Sequence, residues 1–262
     1  MSDSEDSPPR PSDVFNPRLW LSQLRMALAY LTWLGPSVVA RPAFENALAR
    51  AARAFPVIGA GLGAAAGLVY VIAYGVGLPP LVGALAAVAF LVLATAARHE
   101  AALARLADGL GAAREPKAED AVPPRLGAAG VIVLMLALGA RIATIADLES
   151  GGLVFAALLA AGASSRAALA PLARYGWGVG EETPAEGEAR SGLGDLLIGV
   201  GIALVLCLVF VGWSGLVALI LAAAAVAAYG WFGAERAARE DTVLGAQQVY
   251  ETVFLIALSA LR

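Results

Sequence analysis

The chain has 262 residues, of which 60% are hydrophobic and 15% charged, with a formal net charge of -3 and a mean hydropathy of +0.75. Such a composition is too apolar for a soluble globular domain of this size and places the chain among polytopic membrane proteins. One cysteine, Cys207, and one histidine, His99, exclude a disulfide framework, a thiolate metal site and a multi-histidine zinc site, and no basic tract suggests nucleic acid.

Residues 1–17 are rich in Ser, Asp and Pro and have neither a basic nor an apolar leader segment, so a disordered cytosolic tail is expected there. Residues 18–262 are expected to form a single integral membrane domain. Leu19 to Leu34 carries Arg25 and is short for a crossing, which predicts an interfacial or re-entrant helix with Trp20, Tyr30 and Trp33 in the headgroup zone. Six apolar runs follow: Val57 to Gly77, Leu81 to Ala97, Gly127 to Ala146, Gly152 to Ala173, Leu196 to Trp213 and Leu216 to Phe232. Each approaches the roughly 20 residues that cross a bilayer core as a helix. A seventh run, Leu244 to Leu261, is weakened by Gln247, Gln248 and Glu251. The predicted fold is therefore an all-α membrane bundle of six or seven spans, and its many Ala and Gly residues favour close helix packing.

Charge sets the orientation. Arginines and lysine gather before the first run, between the second and third, and after the fourth and sixth, whereas the intervening turns have none. The positive-inside rule puts the charged loops and the N-terminus on the cytosolic side of a multi-pass membrane protein.

Two polar stretches carry the candidate chemistry. In the first, Glu100 and Asp108 share a helix face two turns apart, about 12 Å along the axis, too far to share one ion unaided. Each could hold part of a Mg²⁺ and phosphate arrangement, or simply line a solvated helix face. His99 is a candidate base or phosphate contact. In the second stretch Asp241, Gln247, Gln248 and Glu251 add polar groups near the start of a span. Arg141 and Arg166 fall inside apolar runs, where a cation is costly unless it meets a carboxylate, a cavity or an anion. Of the reaction classes left, Mg²⁺-assisted phosphoryl transfer fits these residue types best.

Five segments, in order, resemble motifs of the cobalamin synthase family, the adenosylcobinamide-GDP ribazoletransferases. They are Ala54-Phe55-Pro56-Val57-Ile58-Gly59; His99-Glu100 through Ala107-Asp108-Gly109; Arg125-Leu126-Gly127 with Gly130; Ser165-Arg166-Ala167; and Asp241-Thr242 with Ala246-Gln247-Gln248-Val249 and Glu251. Ala101 and Arg105 stand where the family signature has aspartates, and Pro123-Pro124 where it has Asp-Ser.

The resemblance implies a transferase that joins adenosylcobinamide-GDP to α-ribazole or its phosphate and releases GMP. It implies Mg²⁺ on Glu100, Asp108 and Asp241, with His99, Asp108, Arg125 and Arg166 as catalytic residues. Arg141, Gln247, Gln248 and Glu251 would bind substrate. The implied partners are the corrinoid and nucleotide substrates and the lipid bilayer, with a homo-oligomer as an option. Three other readings stay open: a non-catalytic relative that binds corrinoid or scaffolds partners, which the altered acidic signature favours; a CDP-alcohol phosphotransferase, whose Asp-Gly-x-x-Ala-Arg spacing Asp108-Gly109 to Ala113-Arg114 misses by one residue; and a small transporter.

Overall fold

The computed structural model describes residues 16–34, 51–112, 126–175, 192–233 and 239–261, and among these it contains helices and connections but no strand. Of the expected tail only Asn16 and Pro17 are described, and they open α1 (Pro17–Leu31). The Asn16 side chain accepts the Arg18 N–H at 3.1 Å, and proline occupies the first helical position, as suits a helix start. At 15 residues α1 is about 22 Å long by its rise, less than a bilayer core. It is not among the helices long and apolar enough to cross a membrane alone, in keeping with the short Leu19–Leu34 run.

A short 3-10 turn, Ala52–Ala54, leads into α2 (Phe55–Gly75), which pairs with α3 (Pro80–Ala94). The chain then turns through 87° into α4 (Arg98–Ala112). Ala96 and Ala97 make that corner with φ of 52° and 53°, a left-handed conformation that costs an L-residue roughly 1–2 kcal/mol. Neighbours hold it in place: the Ala97 N–H donates to Val92 O at 2.8 Å, and the Trp33 N–H at the end of α1 donates to Ala94 O at 3.0 Å. The apolar run to Ala97 therefore ends before its last three residues, because the corner consumes them.

Beyond α4 come α5 (Ala128–Asp147), α6 (Gly151–Ala167), the short α7 (Leu169–Tyr175), α8 (Leu193–Gly233) and α9 (Arg239–Ala260). Five of the described helices are long and apolar enough to cross a membrane, or six if the bent α3–α4 pair is one span. In that count α8 enters once, yet its 41 residues exceed what one crossing needs. Its helical dihedrals break at Gly212 (φ 64°, ψ -148°), a value open to glycine and strained for other residues. Val200 and Ala203 before the break line the same cavity as Leu219, Ala223 and Val226 after it. Those positions mirror one another about residues 212–213, so the chain folds back there and the two expected runs, Leu196 to Trp213 and Leu216 to Phe232, are the arms of one hairpin. Counted by arms, and with the bent α3–α4 pair as one span, the described residues supply seven segments that could cross.

Glycines fix its centre. A Cβ on Gly63 would collide with Leu158 O of α6, and one on Gly59 with Gly162 O, so α2 and α6 meet backbone to backbone. The core around them includes Tyr70, Leu91, Ile145, Leu158 and Phe254, all under 4% exposed.

Candidate active site

Helices α4, α5, α6 and α9 each deliver polar side chains to one buried cluster. At its hub is Glu251, 1% exposed, in the middle of α9. Arg141 from α5 donates to Glu251 Oε1 at 2.7 Å, and Arg166 from α6 donates to Oε2 at 3.2 Å. Gln247, one turn before Glu251, donates to the same carboxylate and, at 3.2 Å, to Ser165 Oγ. Gln248 bridges the far side: its amide oxygen accepts from Arg141 at 2.8 Å and its amide nitrogen donates to Glu100 Oε1 at 2.7 Å. A buried charge is tolerated only when paired and hydrogen-bonded, and here two arginines and two glutamates neutralise one another.

Gly59 makes room for this arrangement. A Cβ there would lie 2.6 Å from Arg166 Cδ, so the glycine that ends the Ala54–Gly59 motif is needed both for helix contact and for the arginine's path. Five atoms of the cluster remain without a hydrogen-bond partner although buried: His99 Nδ1, Glu100 Oε2, Gln247 Oε1, Arg141 Nε and Arg166 Nε. Buried polar groups are seldom left so, and both donors and acceptors are present for an incoming hydroxyl or phosphate.

The remaining carboxylates named from sequence are engaged elsewhere. Asp108 accepts from the backbone N–H groups of Gly127 and Gly130 at 2.7 and 2.6 Å, anchoring the positive N-terminal end of α5. The spacing of Gly127 and Gly130 is explained by this contact, since a Cβ on either would strike the carboxylate. Asp241 forms a two-pronged pair with Arg105, at 2.8 Å to Nε and 2.5 Å to Nη2. Glu100, Asp108 and Asp241 thus serve three different partners. Among the described residues no group of three acidic, histidine or cysteine side chains is placed to hold a metal ion, so as arranged they do not fit a ready magnesium cage. Arg125 lies outside the described residues.

Two contacts had no strong sequence signal. Arg98 stacks on the Tyr30 ring at 4.4 Å and pairs with Glu240 at 2.9 Å, and the Tyr30 hydroxyl donates to Glu240 at 3.1 Å. Burial holds the Tyr30 phenol well above its usual range, so it stays protonated and can donate. Farther out, Arg53 is held by Gln23 at 2.5 Å, by Asp195 at 3.6 Å and by the Trp20 ring at 4.8 Å, which ties α1 to the bundle. In sequence Arg53 is only one of the charges before the first apolar run.

A helical membrane bundle closed around a charge-neutral arginine–carboxylate cluster is the class of protein that fold and site define. Its residues 23–259 match the model of the cobalamin-5-phosphate synthase family, and the chain belongs to that family. Three similar proteins, each named adenosylcobinamide-GDP ribazoletransferase, come from Bradyrhizobium diazoefficiens, Allorhizobium ampelinum and Rhizobium etli. The first is 42% identical over 56% of this chain and 57% of its own length, and the second 37% identical over 49% and 50%. Those two matches span about half of each relative. The third runs over 89% of this chain and 94% of the relative at 31% identity. No solved structure matches.

Proposed function

We propose that this protein is a membrane transferase of cobalamin assembly, joining adenosylcobinamide-GDP to α-ribazole or its phosphate and releasing GMP at the cytosolic side of the bacterial plasma membrane. The observation that carries the reading is the Arg141–Glu251–Arg166 cluster, with unpartnered donors and acceptors beside it, in a chain of this family. In the proposed reaction a ribose hydroxyl oxygen bonds to the phosphorus attached to cobinamide. The bond from that phosphorus to GMP breaks, and GMP keeps the electron pair. The hydroxyl proton passes to a base, for which His99 Nδ1 is free. Arg141 and Arg166 offset negative charge that grows on the phosphoryl oxygens.

Mg²⁺ belongs to the proposal as the companion of the substrate's pyrophosphate, since this ion usually binds substrate oxygens plus one or two carboxylates. Of the carboxylates named for the ion, Asp241 is part of a partly exposed pair and would have to exchange Arg105 for it.

One observation favours a non-catalytic relative instead: Asp108 and Asp241 are both occupied, by helix amides and by Arg105. The deciding experiment incubates purified protein in liposomes with adenosylcobinamide-GDP, α-ribazole phosphate and Mg²⁺, and follows GMP against a metal-free control. Metal-dependent GMP is expected. No GMP, beside an active relative assayed in parallel, would establish the non-catalytic reading.

A further inference from the structure

A cavity of about 260 Å³ lies between α6, α7, both arms of α8 and α9. Alanines at 167, 203 and 223 leave it open, and its walls are apolar except at one edge, where Ser164 meets Tyr250. The Ser164 hydroxyl donates to Ala160 O of its own helix at 2.7 Å and keeps its lone pairs at this edge. Their immediate sequence neighbours, Ser165 and Glu251, belong to the charged cluster, and one residue along a helix is a turn of 100°. Cavity and cluster therefore occupy adjacent faces of the same two helices.

We infer that this cavity receives the flat apolar base of a benzimidazole nucleoside, with the attached ribose held at the Ser164–Tyr250 edge, toward Arg166. The inference rests on the ribazole transfer proposed above and identifies where the base would sit. Size agrees: an apolar cavity of about 150 Å³ accepts a benzene, so the larger volume has room for a second fused ring and small substituents. The wall agrees too. Tyr250 is 4% exposed and its ring is stacked with that of Phe254 at 6.5 Å, which gives a planar guest a fixed aromatic face. Selectivity follows from what is missing. Away from the Ser164–Tyr250 edge the lining side chains are all apolar and offer no partner for the amide and amino groups of guanine or adenine, and burying those groups unpaired opposes binding.

The test measures α-ribazole binding by calorimetry to the full chain in detergent, comparing wild type with Ala203→Phe and Ala223→Phe, each of which places a ring in the cavity. Thermal unfolding of each variant is followed in parallel, and two positions on opposite arms guard against a single misfolded protein. At least tenfold weaker binding in a variant that unfolds at the wild-type temperature is expected, with guanosine bound at least tenfold more weakly than α-ribazole by wild type. Binding unchanged in both folded variants would overturn the inference and leave the cavity to a lipid chain; so would absence of α-ribazole binding to wild type. Filling-sensitive binding without GMP release would instead sink the transferase reading and leave the base site standing.

Discussion

Glu251 shows how much one side chain can hold. Both of its oxygens are engaged by arginines that are themselves 1% and 2% exposed, so its removal strands Arg166 and leaves Arg141 only Glu100, 3.9 Å away. Glu251→Gln keeps the shape and loses the charge. It is expected to destabilise the bundle by about 3–5 kcal/mol, the usual effect of breaking a buried pair, read as a lower unfolding temperature in detergent. Sequence reasoning found most of this cluster because each member was costly where it stood: arginines inside apolar runs and three polar residues in a weak span. It could not find the pairing, since Arg141 and Glu251 are far apart in the chain and meet only after four helices pack. Nor could it separate Asp108 and Asp241 from the cluster. A carboxylate that holds a helix end and one that could hold a metal look alike in sequence.

Between elements, small residues decide how closely helices approach. Gly61 has open space around its Cα, whereas Gly63, two positions on, faces the α6 backbone at Leu158. Gly63→Ala is expected to lower stability by roughly 1–3 kcal/mol through overpacking, while Gly61→Ala is neutral or gains up to about 1 kcal/mol of helix propensity. Thermal unfolding of the two variants side by side checks this, and equal midpoints would refute the backbone contact. Apolar run length located the candidate spans because these helices are apolar throughout, whether largely buried in the bundle, as Gly151–Leu172 is, or largely exposed, as Leu193–Gly230 is. It missed the left-handed corner at Ala96 and Ala97, where alanine gives no turn signal and the conformation is held by the end of α1. The seven-residue α7 was likewise invisible within a continuous apolar run.

For the whole molecule, the distribution of arginines predicts that the turn between α2 and α3 lies outside and the start of α5 inside. Cysteine scanning in a Cys207→Ser background tests this with exposed positions at either end, Leu78→Cys and Leu126→Cys. A membrane-impermeant maleimide should label the first in intact cells and the second only after lysis; the reverse pattern would invert the topology. The neutral cluster bears on how such a molecule is made. Synthesis runs from α1 toward α9, so Arg141 and Arg166 emerge before the carboxylate that answers them. Glu100 is made earlier but stands 3.9 Å from Arg141 and is not paired with Arg166. An arginine at the centre of a lipid-facing helix costs about 2.5–3.5 kcal/mol on insertion scales. A nascent chain stopped before α9 would therefore carry unanswered charge within the bilayer, a mark by which membrane quality control can tell an unfinished copy from a complete one.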